Sequence, residues 1–179
     1  QILEVALRNA CSRELERWHR ALGHTTPWYL SEALNQPHKD DVATARDRVK
    51  RGKRAETTGR VIAELTFSFW RFLHSKSYEP TLWQHALRFA YGDGTGIARR
   101  EVYNRLDHIN TLRNRVAHHE PVHGDNIAST GRDLAGIHRE MLDILRWLDP
   151  ELASYVLQTS RLPEILSAKP TPSVPSPAA

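Results

Sequence analysis

The chain has 179 residues, of which 40% are hydrophobic and 26% are charged, as in an ordinary globular domain. It contains no apolar run of about 18 residues and no signal-peptide pattern, so we expect a cytoplasmic protein with no membrane contact. Its single cysteine, Cys11, excludes an intramolecular disulfide framework, and its net charge of +4 weakly favours an acidic partner such as nucleic acid.

Helical spacing of apolar residues recurs along the chain, and strand patterns are nearly absent. The spacing predicts helices over about 2–22, 26–34, 40–56, 59–74, 80–91, 97–119, 130–148 and 151–158, with Ser129 capping the seventh. Gln1 already lies in a helical pattern, so we expect further helix upstream of it. Residues 169–179 carry four prolines among Ser, Thr and Ala. We therefore expect one all-α domain over 1–168 and a disordered Pro-rich tail over 169–179.

The most informative segment ends the long predicted helix and runs Arg113-Asn114-Arg115-Val116-Ala117-His118-His119-Glu120-Pro121. At about 100° per residue, one apolar stripe is formed by Val102, Leu106, Ile109, Leu112 and Val116. Arg113 projects within this stripe, whereas His118 lies about 140° away from Arg113, on the same face as Asn114. A charged side chain on an apolar stripe needs a partner or a function.

Taken singly, these residues have structural explanations. Arg113 would snorkel or pair with an acid, and histidines at a helix C-terminus interact favourably with the last carbonyl groups. Together they favour another interpretation, because arginine binds phosphate as a fixed fork and histidine transfers protons near neutral pH. Cleavage of RNA without a metal needs a base at the 2′-hydroxyl, a cation at the phosphate and an acid at the leaving oxygen.

The pattern Arg113-Asn114-x-x-x-His118 resembles the R-x(4–6)-H signature of HEPN-domain ribonucleases. Further segments resemble the Abi-like (abortive infection) branch of these proteins, namely residues 3–10, 65–70, 82–83 and 118–122. The resemblance covers roughly residues 3–155. Some HEPN toxins carry a tyrosine two places after the histidine that an antitoxin modifies, but here Glu120 occupies that place.

The resemblance implies an all-α HEPN-like helical bundle that forms a homodimer, with two signatures facing one cleft. It also implies a metal-independent endoribonuclease without a cofactor, acting as a toxin or phage-defence effector, with RNA as substrate and a protein or RNA antitoxin as a further partner. By position, Arg113 would bind the phosphate, His118 would act as acid or base, and Asn114 would orient either group. Supporting roles are implied for Glu4, Arg8, Asn9 and His119.

A second candidate functional region is a cluster of six cations within residues 46–54, where Asp47 is the single acidic residue. We call this cluster the basic segment; its members are Arg46, Arg48, Lys50, Arg51, Lys53 and Arg54. It is explained either as a solvated helix face or, together with Arg115, as a patch that recruits RNA phosphates.

No H-E-x-x-H spacing occurs near His118, His119 and His123, which argues against a metal site. The five tryptophans lie at apolar positions and are expected in the core. The alternative function is a catalytically inactive RNA-binding or protein-interaction module on the same helical fold.

Overall fold

The computed structural model describes residues 1–53, 55–94, 96–122, 127 and 130–168. In these ranges every regular element is a helix and none is a strand, which confirms the predicted all-α fold. Its α-helices are α1 (Ile2–Ala21), α2 (Gln36–Arg51), α3 (Thr58–Glu64), α4 (Phe67–Phe72), α5 (Arg99–Ala117), α6 (Leu134–Leu148), α7 (Pro150–Thr159) and α8 (Leu162–Ser167). Short 3-10 turns occur at Trp28–Leu30, Lys76–Tyr78 and Leu87–Ala90, and a π-helical turn occurs at Glu79–Trp83. The predicted cap Ser129 is wrong, because α6 begins at Leu134 and the carboxylate of Asp133 accepts a hydrogen bond from the backbone N–H of Gly136. Ser129 itself and the predicted tail, 169–179, lie outside the described residues.

Helices α1, α5 and α6 form the centre of the bundle. Helix α6 packs against α5, α1 and α7, while α4 packs against α5 and α1. Their contact faces include side chains with no exposed surface: Leu7, Leu15, Leu106, Ile137 and Ile144. Helices α2 and α3 pack on each other beside α1. The predicted core position of the tryptophans is confirmed, since Trp28, Trp70 and Trp83 are buried and Trp18 and Trp147 are partly buried against the core.

The single helix predicted over 59–74 is wrong, because the chain forms two short helices there. The backbone is extended at Leu65 and Thr66, which separates α3 from α4. The hydroxyl of Thr66 accepts a hydrogen bond from the backbone N–H of Phe69 and so starts a new helix. The break also buries Leu65 and Phe67, on either side of it.

The helices predicted over 26–34 and 80–91 are also wrong in extent. The first region contains one 3-10 turn, whose Trp28 donates from Nε1 to the hydroxyl of Ser12 in α1 at 2.9 Å. The second is interrupted at Ala86, where φ is −139° and ψ is −65°. The turn that follows packs on α1 with Leu87 and Ala90 buried, so tertiary packing overrides the local helical preference. Helix α8 was not predicted.

Candidate functional site

The candidate site lies at the end of α5, where the chain closes the helix with a left-handed residue. The N–H of His118 bonds to the carbonyl of Asn114 at 2.9 Å, and the N–H of Glu120 bonds to the carbonyl of Arg115 at 2.8 Å. His119 stands between them with φ +57°, the conformation in which helices commonly end on glycine. This closure holds His118 and His119 on an exposed turn.

Arg113 is exposed rather than sealed in the core, although its helical position falls within the apolar stripe. The stripe is buried at Val102, Leu106, Ile109 and Leu112, whereas its last residue, Val116, is 56% exposed. Val116 is exposed because α6, the helix that covers the rest of the stripe, does not extend as far as Val116. Contacts of Arg105 with Asp143 and of His108 with Glu140 set α5 and α6 antiparallel. Val116 therefore falls opposite residue 132, before α6 begins at Leu134.

Arg113 borders an open groove of about 480 Å³ between the start of α1, α5, α6 and α7. We call it the Arg113 groove. Its walls are mostly apolar and include Ile2, Leu3, Phe67, Ile109, Met141, Leu142, Leu145 and Val156. Four polar residues also line it, namely Gln1, Glu4, Arg113 and His138. The structure thus brings Glu4, a predicted supporting residue, onto the same groove as Arg113.

Sequence reasoning missed His138. Its Nε2 lies 3.1 Å from the hydroxyl of Ser160, and burial lowers the pKa of the ring. The signal was present in the sequence, because His138 follows Leu134 by one helical turn and precedes Met141 by another. A polar residue on an apolar face is the same signal that singled out Arg113.

Asn114 and His118 do not line the Arg113 groove. They continue another face of α5, on which Asn110 accepts from Ser68 and Asp107 pairs with Arg71 of α4. By helix geometry the Cα atoms of Arg113 and His118 are about 9 Å apart and their side chains diverge by about 140°. One chain therefore presents the two groups on different faces.

Two other predicted supporting residues, Arg8 and Asn9, lie on α1 but do not line the Arg113 groove. Asn9 lines a neighbouring cavity of about 460 Å³ rather than the Arg113 groove. Arg8 contacts Asn9 through Nε at a long 3.5 Å. Arg115, predicted to bind RNA, donates to the carbonyl of Pro121 at 3.0 and 2.7 Å and lies 3.7 Å from Glu120. It thereby ties down the turn after α5, and its contact with RNA stays a prediction.

The basic segment is partly committed to internal contacts. Arg46 binds Glu56 at 2.7 Å, Arg48 reaches the carbonyl of Glu64 at 3.4 Å, and Lys50 lies 3.9 Å from Asp47. Arg51 and Lys53 are exposed, and no ion pair involves them within the described ranges. Arg54 lies outside the described residues. The cations most open to a phosphate are thus those at the C-terminal end of α2.

The comparisons with known proteins give no match, whether with family models, with curated proteins or with solved structures. In the part of the chain that the structure describes, no three His, Cys, Asp or Glu side chains are grouped so that they could hold a metal ion. His123, named above with His118 and His119, lies outside that part. None of the described helices combines the length and the apolar character that crossing a membrane requires.

Proposed function

We propose that this chain is a metal-independent endoribonuclease of the HEPN type that acts as a toxin or abortive-infection effector. One observation carries the proposal. Arg113, Asn114 and His118 are exposed at the end of α5, and no described residue hydrogen-bonds or ion-pairs with their side chains. By contrast, three of the other four arginines of the same helix are committed to carboxylates or carbonyls, namely Arg99, Arg105 and Arg115. Only Arg100 shares the lack of a described partner.

In the proposed reaction, an imidazole of His118 removes the proton of the ribose 2′-hydroxyl, and the oxygen attacks the adjacent phosphorus. The bond from phosphorus to the 5′-oxygen breaks, and a protonated imidazole returns a proton to that oxygen. The products are a 2′,3′-cyclic phosphate and a 5′-hydroxyl. Arg113 stabilises the charge that develops on the phosphate oxygens, and Asn114 orients the neighbouring groups.

Two copies of the chain are proposed to complete the site. Within one helix Arg113 and His118 diverge by about 140°, so a guanidinium and an imidazole meet on one phosphate more readily when they come from different copies. The Arg113 groove and the exposed Val116 offer apolar surface for such contact. Arg51 and Lys53 would add sequence-independent attraction for RNA.

The test is cleavage of a structured RNA in the presence of EDTA by wild type, Arg113→Ala and His118→Ala. Each variant should lose at least about 100-fold in rate, because His118→Ala removes a general acid or base and Arg113→Ala removes a group that stabilises the developing charge. Arg100→Ala is the matched control, because Arg100 is also an exposed arginine of α5 without a described partner. Wild-type rates in both test variants would exclude the assigned site, and activity lost on chelation alone would point to a metal.

The two-copy arrangement has its own test. Mixing Arg113→Ala with His118→Ala should restore cleavage that neither variant shows alone, since a mixed dimer contains one intact pair. A strictly monomeric protein at the assay concentration, measured by light scattering with RNA present, would contradict the shared site. Growth arrest of a bacterial host by wild type but not by His118→Ala would support the toxin role.

A second candidate function is a catalytically inactive module that binds RNA or another protein. The observation that favours it is the apolar lining of the Arg113 groove, beside which Ile2 is 45% exposed. Exposed apolar surface of this kind commonly marks an interaction site. Wild-type protein that binds RNA or a helical partner but cleaves no RNA would favour this function.

A further inference from the structure

Another cavity, of about 430 Å³, shares no lining residue with the Arg113 groove. It lies between α1, the turn after Leu87–Ala90, and the junction of α6 with α7. We call it the arginine cavity because Arg13 of α1 and Arg146 of α6 both line it. Its volume falls within the range of small-molecule sites, roughly 300–1,000 Å³.

Carboxylates occupy only part of the hydrogen-bond donors of the two arginines. Arg13 and Arg146 are each bound by one carboxylate of their own helix, Glu14 and Asp143, at 2.9 Å. Both carboxylates are shared with a second guanidinium: Glu14 also binds Arg17 at 2.9 Å, and Asp143 also binds Arg105 at 2.6 Å.

The side chains of Arg13 and Arg146 are 60% and 57% exposed. A guanidinium has five N–H donors, so both retain donors for an anion. Two arginine forks from different helices that open on one cavity suit a phosphate group, which accepts several charge-assisted hydrogen bonds.

Three aromatic side chains, those of Phe89, Tyr91 and Trp147, also line the cavity and are held in place. Trp147 lies under the guanidinium of Arg105, 4.9 Å from its ring centre. Phe89, which is 38% exposed, packs against Gly94, where an added Cβ would lie 2.6 Å from the ring. Tyr91 contributes its ring alone, because its hydroxyl is hydrogen-bonded to His74.

Asp93 also lines the cavity, on its loop side. The cavity thus offers two features to a ligand, namely the guanidinium donors of Arg13 and Arg146 and the aromatic rings of Phe89 and Trp147. A ligand that matches both features joins a phosphate to a flat ring, because ring stacking on aromatic side chains adds to phosphate binding.

We propose that the arginine cavity binds a nucleotide, with its phosphate between Arg13 and Arg146 and its base against the wall that carries Phe89 and Trp147. The nucleotide is either a free one or one unit of an RNA strand, since both present the same chemistry. The proposal does not depend on RNA cleavage, so it stands or fails separately from the proposed function.

The test is calorimetric titration of the full chain carrying His118→Ala, so that RNA stays intact, with AMP, ATP, a short oligoribonucleotide and inorganic phosphate. Arg13→Ala and Arg146→Ala should each weaken AMP binding at least tenfold. Arg20→Ala and Arg139→Ala are matched controls and should change it by less than twofold, because both are exposed arginines of the same two helices outside this cavity. Arg20, like Arg13, is held by one carboxylate of its own helix, that of Glu16.

Competition by the oligoribonucleotide would assign the site to an RNA strand, and binding of AMP and ATP without such competition would assign it to a free nucleotide. Phe89→Leu should weaken AMP more than inorganic phosphate. The proposal is overturned if neither AMP nor the oligoribonucleotide binds, if inorganic phosphate binds as tightly as AMP, or if the four arginine variants behave alike. Thermal unfolding of each variant checks that the fold is intact.

Discussion

Lowering the pH from 7 to 5 should destabilise this protein through one buried histidine. His74 has no exposed surface, and its Nδ1 lies 2.8 Å from the carbonyl of Trp70, so Nδ1 carries the proton. Its Nε2 then accepts a hydrogen bond from the hydroxyl of Tyr91 at 2.7 Å. The neutral ring is satisfied on both sides. Burial lowers the pKa of His74 to about 4, and the nearby Arg99 guanidinium also disfavours the charged ring.

The magnitude follows from the two pKa values. The unfolded chain binds the proton at a pKa of 6.5 and the folded chain at about 4. The unfolded state therefore holds more protons between these values, so stability is complete above 6.5 and falls as the pH decreases towards 4. At about 1.36 kcal/mol per pH unit, the loss reaches about 3 kcal/mol at the acid limit. At pH 5 it amounts to about 2 kcal/mol, whereas at pH 7 nearly all of the stability is present.

Urea unfolding followed by tryptophan fluorescence between pH 8 and 4.5 measures this effect. The control is His74→Gln, whose side chain keeps a donor and an acceptor but does not titrate. It should be less stable at pH 8 by about 1–3 kcal/mol and should lose less stability on acidification. Burial also lowers the pKa of His19, His38 and His138, but these groups act equally in both proteins. Parallel stability curves for the two proteins would refute the reasoning.

Two further substitutions test the surroundings of the candidate site. Asp107→Ala removes the carboxylate that pairs with Arg71, whose side chain is buried at 9% exposure. The free energy of unfolding, measured in urea, should fall by about 2–3 kcal/mol. An unchanged value would mean that the hydroxyl of Tyr103 and the ring of Phe72 alone stabilise the buried guanidinium. His119→Gly relieves a left-handed backbone and should raise the free energy of unfolding by up to about 1 kcal/mol without changing RNA cleavage. Loss of cleavage in this stable variant would assign the His119 side chain to the site.

Helical periodicity predicted the helices that have one apolar face. The bounds of α1, α5 and α7 lie close to the predicted ones, and α6 was predicted except for its start. The pattern failed over 59–74, where Phe67, Phe69, Trp70 and Leu73 are all buried and no single face stands out. The hydroxyls of Thr57 and Thr66 cap α3 and α4, so threonine was the available signal for the break.

The sequence indicated which side chains of the candidate site carry chemistry but not which of them share a surface. Glu4 and Arg113 are far apart in the chain and meet on one groove because α1 and α5 both pack against α6. The exposure of Val116 depends on where α6 begins, which the pattern on α5 does not contain. The pairing of Arg46 with Glu56 likewise depends on the turn between α2 and α3.

The Arg113 groove already contains an imidazole, so the assignment of His118 has to be weighed against His138. His138 lies on the same groove as Arg113 and would need no second copy of the chain. Its Nε2 is engaged with Ser160 at 3.1 Å, and burial lowers its pKa, which disfavours the protonated ring that an acid requires. His118 is exposed and its side chain has no described partner, so substrate can reach both ring nitrogens. Proton transfer needs that access. Cleavage lost in His118→Ala and kept in His138→Ala fits a site shared between copies, and the reverse fits a site within one chain.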